Sequence, residues 1–209
     1  MIFAKAPEPG QVKTRLVPAL GVEGAARLHA ALLADVAERH QRPGRVVTLW
    51  RAGDLAHPIW TTLGLPLATQ PDGDLGDRQR AAFAAEGADG AAVVVIGTDS
   101  PTLPPALVDA AFAALARVPV VIGPATDGGY YLLGLRGLLP PLFTGVAWGT
   151  DAVLPHLLET LHALRIPFEV LDFWYDIDRP ADLRLLRALA PTLAHPRPWR
   201  TLAALEQLP

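Results

Sequence analysis

Short apolar runs alternate along the chain with longer stretches in which apolar residues recur at helical spacing. The runs at 93–96 and 118–123 are almost entirely apolar and rich in β-branched residues, which is typical of strands buried on both faces. The stretch between them, 105–117, has the apolar spacing of a helix. This alternation predicts an α/β fold built on a mostly parallel, mixed sheet.

The same patterns predict the remaining elements. A strand at 1–5 and a basic loop precede a long amphipathic helix through Ala25, Leu28, Leu32 and Val36. Because this first strand is short, we expect it to extend upstream of residue 1. Further predicted strands lie at 45–50, 65–70 and 168–173, and further helices at 54–63, 79–86 and 151–164.

Composition restricts the domain organisation and the class of protein. The 209 residues predict one domain, 1–190, followed by a Pro-rich, loosely packed tail, 191–209. The absence of cysteine excludes disulfides, and we expect a cytoplasmic protein without a secretory leader. A net charge of −3 gives no reason to expect nucleic-acid binding. No apolar run approaches the length of a membrane span, so we expect no membrane association.

Asp99 lies three residues after the apolar run 93–96, at the carboxyl end of a predicted central strand. Ligands bind at this edge of open α/β sheets. Mg²⁺ accepts one or two carboxylates and leaves positions for phosphate oxygens, so Asp99 is a candidate metal ligand. The alternative is that Asp99 only caps the next helix or forms a turn.

The loop after the first strand carries Lys13 and Arg15. A strand, a cationic loop and a helix in this order suit phosphate binding through backbone N–H groups and side-chain charge. A solvated basic loop is equally compatible with the pattern. The chain has sixteen Arg but only two Lys, Lys5 and Lys13, and an ammonium is not interchangeable with a guanidinium at a tight phosphate site.

Glycine-rich loops supply further candidates. Arg78 follows a turn-rich loop at 72–77 and could face a ligand or be an ordinary surface charge. The sequence Asp127-Gly128-Gly129 could be a hairpin turn, or it could let the backbone approach a sugar or base while Asp127 accepts hydrogen bonds from hydroxyls. We favour the second. Trp148 could stack on a ligand or serve as a buried anchor.

A second carboxylate for the metal is available near the end of the last predicted strand. Asp178 lies two residues before Pro180, which is suited to open a helix. Asp178 could therefore be a metal ligand, or it could cap that helix, with Asp182 as an acid in the first turn.

Five stretches of the sequence form an ordered set of motifs: FAKAPEPGQVKTRL (3–16), GDLGDR (73–78), IGTDSPTLP (96–104), GPATDGGYYLLGL (123–135) and YDIDRPADL (175–183). Together they resemble the DUF2064 family, whose members are provisionally assigned as nucleotide-diphospho-sugar transferases of glycosyltransferase-A type, some of them named for arsenosugar biosynthesis. More distantly, the chain is similar to molybdenum-cofactor and phospholactate nucleotidyltransferases. The resemblance implies a Rossmann-like, three-layer α/β/α sandwich.

The resemblance implies that Lys13 and Arg15 contact donor phosphates and that Asp99 and Asp178 hold Mg²⁺ (or Mn²⁺). The Asp-x-Asp signature of many type-A glycosyltransferases is absent, because Gly97 stands at its first position. Gln79 stands where the family pattern has Met, a change expected to affect packing. We predict catalytic roles for Lys13, Arg15 and Asp99, and nucleotide- or substrate-binding roles for Lys5, Ala6, Pro7, Gly10, Lys13, Arg15, Gly76, Arg78, Thr98, Asp127, Gly128, Gly129 and Trp148.

The predicted function is a Mg²⁺-dependent transferase with a nucleotide-activated donor. Glycosyl transfer from a nucleotide-diphospho-sugar to a small-molecule acceptor is the first interpretation. Nucleotidyl transfer from a nucleoside triphosphate to a phosphorylated acceptor, releasing pyrophosphate, is the second, and the cationic first loop favours it. A nucleotide-binding module without turnover is the third. The base, sugar, acceptor and oligomeric state stay open.

Overall fold

A computed structural model describes residues 1–137, 141–193 and 197–207, and its seven strands form one mixed sheet in the order β3-β2-β1-β4-β6-β5-β7. The strands are β1 (Ile2–Lys5), β2 (Leu49–Ala52), β3 (Leu67–Thr69), β4 (Ala92–Ile96), β5 (Val120–Pro124), β6 (Tyr130–Arg136) and β7 (Phe168–Val170). The α-helices are α1 (Val17–His40), α2 (Ile59–Thr62), α3 (Leu75–Glu86), α4 (Pro105–Leu115), α5 (Val153–Ala163), α6 (Pro180–Leu189) and α7 (Trp199–Glu206). The predicted α/β class with a mixed, helix-flanked sheet is confirmed.

The chain divides into two compact units, each assembled from separate segments. The amino-terminal unit comprises Ile2–Thr69, Gly97–Leu103 and Asp176–Pro209, and the central unit comprises Met1, Gln70–Ile96 and Pro104–Tyr175. The candidate carboxylates Asp99 and Asp178 and the basic loop therefore all belong to the amino-terminal unit.

In the amino-terminal unit, β2 pairs in parallel with both β1 and β3. Its core includes Ile2 and Leu49 from the strands and Leu28 and Leu32 from α1, all of them fully or nearly fully buried. In the central unit, β6 lies antiparallel between β4 and β5, and β7 extends this group in parallel with β5. The apolar runs identified in the sequence are thus buried strands.

Several element boundaries differ from the predicted ones. The second strand begins at Leu49 rather than at 45, and α3 begins at Leu75 rather than at 79. The earlier start of α3 follows from Asp74, whose side chain accepts a hydrogen bond from the Asp77 backbone N–H at 2.8 Å and caps the helix. The sequence 72–77 is typical of a turn, so it did not indicate that the first turn of α3 begins at Leu75.

Helix α1 corrects the expectation that no segment is long and apolar enough to cross a membrane. Together with the preceding 3₁₀ turn (Thr14–Leu16) it spans 27 residues, with an 18-residue window of mean hydropathy 1.3. By length and composition it could cross a membrane. However, half of that window is buried inside the protein, as in an ordinary core helix, and Gly21 interrupts the helix with non-helical backbone angles (φ 69°, ψ 166°).

The prediction of a loosely packed tail is wrong for 197–207, while 194–196 and 208–209 lie outside the described residues. Residues Trp199–Glu206 form α7, whose Thr201 and Leu205 are buried. Asp35 on α1 accepts hydrogen bonds from the backbone N–H and the hydroxyl of Thr201, both at 2.7 Å. Asp35 on α1 therefore satisfies hydrogen-bond donors in the first turn of α7, a helix that is distant in sequence.

We expect His40, at the end of α1, to make the free energy of unfolding depend on pH. The residue is 3% exposed, and neither ring nitrogen has a hydrogen-bond partner in the described part of the chain. Burial, reinforced by the charges of Arg39 and Arg45, lowers the pKa of His40 to about 3. The unfolded chain binds a proton near pH 6.5 and the folded chain does not, so stability is retained above that pH and lost as pH falls towards 3.

Between pH 7 and pH 5, we expect this group to cost about 2 kcal/mol of unfolding free energy. Urea unfolding of the wild type and of His40→Leu at both pH values measures the effect as a difference between the two proteins. A pH dependence that is unchanged in His40→Leu would contradict the assignment.

Candidate active site

The two candidate carboxylates of the amino-terminal unit lie on either side of one ammonium group. Lys13 Nζ is 2.5 Å from Asp99 Oδ1 and 2.8 Å from Asp178 Oδ1. It also donates a hydrogen bond to the Ile177 carbonyl oxygen at 2.6 Å. An ammonium has three N–H donors, so each of them has an acceptor within this cluster, and the Lys13 side chain is only 4% exposed.

The backbone at Lys13 adopts an uncommon conformation. Its φ of 47° lies in the left-handed region, and among the described residues only Arg165 shares this property without being glycine. The turn is closed by the Leu16 N–H, which donates to the Lys13 carbonyl oxygen at 2.8 Å. Such backbone conformations cost on the order of 1 kcal/mol or more and concentrate at functional sites, so this one supports a role for Lys13.

The two acidic loops are joined by hydrogen bonds that the sequence analysis missed. The Ile177 N–H donates to the Asp99 carbonyl oxygen at 2.8 Å, and the Ser100 hydroxyl donates to Asp176 Oδ1 at 2.5 Å. Ser100, directly after Asp99, and Asp176, two residues before Asp178, were the available signal. These bonds fix the separation of the two carboxylates.

Asp178 is not the cap of α6, which answers the question left open by the sequence. The Asp182 carboxylate accepts hydrogen bonds from the backbone N–H groups of Asp178 and Arg179, at 2.9 and 2.7 Å. Asp182 is thus the acid in the first turn that satisfies the start of the helix. The Asp178 side chain is left to face Lys13.

Opposite charges stabilise the charged forms of Lys13 and Asp99. Although burial opposes the charged form of both, the Lys13 charge holds the pKa of Asp99 below its usual value, and the charges of Asp99 and Asp178 raise the pKa of Lys13. Arg15 adds a second positive charge, with its Nη1 3.7 Å from Asp178 Oδ2 and its side chain 54% exposed. By formal charge, the cluster therefore combines two carboxylates with two cationic side chains.

His29 on α1 is a buried neighbour of this cluster. Its Nε2 donates to the Lys5 carbonyl oxygen at 3.0 Å, while the lysine side chain itself donates to the Gln11 carbonyl oxygen. Burial lowers the pKa of His29, although the charge of Asp99 opposes this. The histidine is therefore neutral at pH 7 and secures the end of β1.

The other predicted residues of the first loop and of the loop after β4 differ in accessibility. Ala6, Pro7 and Thr98 are buried, so their side chains are not open to solvent. Gly10 is exposed, with a φ of 76° that favours glycine. Their binding roles stay predictions.

In the central unit, Gly76 and Trp148 lie in direct contact. A Cβ at Gly76 would come within 2.7 Å of Trp148 Cζ2, so this glycine leaves room for the indole. Trp148 also stacks on Phe143 with 6.4 Å between ring centroids. This packing favours the anchor interpretation of Trp148, and stacking on a ligand stays a prediction.

Asp127-Gly128-Gly129 connects antiparallel β5 and β6 and therefore forms a hairpin turn. Asp127 is exposed, and its Oδ1 accepts a hydrogen bond from the Gly129 N–H at 2.9 Å. Gly128 has a φ of 90°, and a Cβ there would meet the Asp151 backbone at 2.6 Å. The hairpin turn and the packing of Gly128 against Asp151 account for these features without a ligand. The binding role that we favoured for Asp127, Gly128 and Gly129 stays a prediction.

Arg78 and Gln79 at the start of α3 make contacts of their own. Arg78 Nε donates to the Gly73 carbonyl oxygen at 3.0 Å, which ties its side chain to the preceding loop. Buried Gln79 accepts a hydrogen bond from the Tyr130 hydroxyl at 2.7 Å. The departure from Met at position 79 thus introduces a specific polar contact, which the sequence analysis missed.

The family follows from a match over more than half of the chain. Residues 32–150 match the model of the family described as "Uncharacterized protein conserved in bacteria (DUF2064)". The chain belongs to the DUF2064 family. No curated protein matches it.

Several solved structures are similar to this DUF2064 protein. A Desulfovibrio desulfuricans G20 protein, provisionally described as a nucleotide-diphospho-sugar transferase, is 31% identical with a TM-score of 0.87, covering 99% of this chain and 95% of that one. A cytidylyltransferase from Leptospira borgpetersenii serovar Hardjo-bovis (strain JB197) is 13% identical with a TM-score of 0.61, covering 99% of this chain and 92% of that one. CMP:2-keto-3-deoxy-manno-octonic acid synthetase is 15% identical with a TM-score of 0.59, covering 91% and 97%. The last two show a shared fold.

The carboxylates of this DUF2064 protein fit a divalent cation as a pair of ligands. Within 1–137, 141–193 and 197–207, no group of three or more histidine, aspartate or glutamate side chains could hold a metal ion. The ion pairs of Lys13 are with Oδ1 of each aspartate, and the side chains of Asp99 and Asp178 remain 41% and 30% exposed. Mg²⁺ is commonly bound by one or two carboxylates, with water and substrate phosphates as its other ligands.

Proposed function

We propose that this DUF2064 protein is a transferase that uses a nucleotide-diphospho-sugar and passes the sugar to a small-molecule acceptor. The observation that carries the proposal is the cluster of Lys13, Asp99 and Asp178 with Arg15 beside it. The description of the Desulfovibrio protein, at 31% identity over nearly the whole chain, supports the same donor class.

In this reaction the acceptor oxygen bonds to the anomeric carbon and its proton passes to solvent. The bond from that carbon to the diphosphate breaks, and its electron pair stays on the departing phosphate oxygen. Negative charge therefore develops on the diphosphate, where cationic groups stabilise the transition state. Arg15, which is half exposed, and Lys13 would supply this charge from one turn of the first loop.

Asp99 and Asp178 would hold Mg²⁺ or Mn²⁺, which supplies charge neutralisation at the phosphates when bound. Their own task is to present carboxylate oxygens at a fixed separation. The hydrogen bonds from Ile177 to Asp99 and from Ser100 to Asp176 maintain that separation, so the pair is preorganised.

The second candidate is nucleotidyl transfer, and the paired cations Lys13 and Arg15 favour it. In this reaction an acceptor phosphate oxygen attacks the α-phosphorus of a nucleoside triphosphate and pyrophosphate leaves with the bonding electrons. A triphosphate carries more charge than a diphosphate and makes fuller use of two cations in one loop.

Thermal unfolding with a panel of nucleoside triphosphates, diphosphates and nucleotide-diphospho-sugars, with and without Mg²⁺, tests the proposal. We expect a rise in Tm that requires both nucleotide and Mg²⁺, since a ligand that binds the folded state stabilises it. Release of nucleoside diphosphate then indicates glycosyl transfer, and release of pyrophosphate indicates nucleotidyl transfer. Tight binding without any product would identify a binding module, and no ligand-dependent shift would refute the proposal.

A further inference from the structure

We propose that the Lys13 ammonium and a divalent cation compete for Asp99 and Asp178, so that the cation binds tightly only together with donor phosphates that accept Lys13. This inference rests on the proposed function and adds to it the form in which the donor is taken, namely as a cation–phosphate complex. It also assigns Lys13 two successive sets of acceptors, the two carboxylates before the donor binds and the donor phosphates afterwards.

The position of the ammonium is the first support. Lys13 Nζ contacts Oδ1 of both carboxylates, at 2.5 and 2.8 Å, and thereby occupies the place between them that a shared cation would take. A cation bound to the same two side chains would lie only a few ångströms from the ammonium. Like charges at that separation repel strongly in a partly buried site.

The charge balance is the second support. Lys13 and Arg15 already compensate the two carboxylates, so a divalent cation alone would leave an excess of two positive charges. The diphosphate of a nucleotide-diphospho-sugar carries two negative charges, so its arrival with the cation restores the balance. A triphosphate carries more negative charge and also removes the positive excess. The cation and the phosphates should therefore bind as one unit, each raising the affinity for the other by the same factor.

The third support is that Lys13 cannot leave its acceptors without replacements. All three N–H donors are used, by Asp99, Asp178 and the Ile177 carbonyl oxygen, and the side chain is 4% exposed. A buried ammonium that loses its acceptors pays a large desolvation cost. Phosphate oxygens can replace them, and the four-carbon stem lets the ammonium move while the backbone turn, closed by Leu16, stays in place.

Isothermal titration with Mn²⁺ tests the competition in the whole chain, using Lys13→Met and, as a matched loss of one cation paired with a carboxylate, Arg117→Met. Arg117 Nη2 lies 2.8 Å from Glu169 Oε1, and its side chain is 61% exposed. Without phosphate, we expect Lys13→Met to bind Mn²⁺ at least about tenfold more tightly than the wild type, and Arg117→Met to match the wild type. With inorganic pyrophosphate present, the advantage of Lys13→Met should shrink or reverse.

A second readout uses the unaltered chain and so does not depend on the folding of a variant. Because the chain has two lysines, a sample labelled with ¹⁵N at lysine Nζ gives two ammonium signals. We expect the Lys13 signal to be protected from exchange, to change little with Mg²⁺ alone, and to shift with Mg²⁺ and pyrophosphate together.

Two results overturn the competition. One is Mn²⁺ affinity in Lys13→Met that is equal to or weaker than in the wild type. The other is a Lys13 ammonium signal that is insensitive to Mg²⁺ and pyrophosphate although the cation binds. If none of the proteins binds Mn²⁺ with or without pyrophosphate, the metal dependence of the proposed function is refuted as well. This result differs from a failure of the competition alone, in which Mn²⁺ binds but Lys13 does not affect its affinity.

Discussion

Replacing Asp99 by asparagine is expected to reduce kcat/KM by on the order of a hundredfold or more while leaving the fold intact. Asparagine has the same shape but no charge, so it weakens the binding of a divalent cation and removes one of the two anions that orient Lys13. Because the cluster is proposed to act on charge that develops during transfer, the loss should appear mainly in kcat. Steady-state kinetics with the donor identified by thermal unfolding measures it.

Asp89→Asn is the matched control for that experiment. Asp89 is exposed, and its Oδ1 accepts a hydrogen bond from the Ala91 N–H, which an asparagine oxygen can also accept. The same change of charge there should leave the kinetics unaltered. The double variant Asp99→Asn with Asp178→Asn should lose little more than either single variant, because both carboxylates act on one cation. Near-normal turnover in Asp99→Asn would remove the basis of the proposed mechanism.

Replacing Asp35 by alanine is expected to lower the free energy of unfolding by about 3 kcal/mol. Its side chain is 2% exposed and accepts hydrogen bonds from the backbone N–H and hydroxyl of Thr201. Arg200 contributes a further ion pair at 3.4 Å. Removing the carboxylate leaves the buried start of α7 without its acceptor, and urea denaturation at pH 7 measures the loss.

Glu38→Ala provides the comparison for Asp35→Ala. Glu38 lies one turn further along α1 and pairs with the same Arg200, but its side chain is 55% exposed. Exposed ion pairs contribute little, so we expect a loss below about 1 kcal/mol. Equal losses in the two variants would show that α7 is held by the arginine contacts and not by the buried carboxylate.

The proximity of Asp99 and Asp178 could be anticipated from the sequence. An apolar run ending in Gly97 places Asp99 after a strand, and the family motif around Asp178 adds a second acid. The sequence did not indicate which cationic side chain pairs with the two carboxylates. Lys13 was expected to contact phosphates, and only the three-dimensional arrangement shows its ammonium between the two acids.

The residues that sequence reasoning missed depend on contacts between distant segments. Gln79 was expected to affect only packing, but Tyr130, 51 positions away, donates a hydrogen bond to it. The frequent prolines of the tail indicated loose packing, and α7 forms nevertheless because Asp35, 166 positions from Thr201, satisfies its first turn. Local propensity carries no information about such partners.

The hydrogen bond from Lys13 to the Ile177 carbonyl oxygen also determines when the site can assemble. Lys13 and Ile177 are separated by 164 positions, and the bond between them closes a loop that contains most of the chain. Contacts of such long range generally form late in folding, because their entropy cost is met only once the intervening structure exists. During synthesis, the cluster can be completed only after the ribosome has released residue 178, so shorter nascent chains should contain the cationic turn without Asp178.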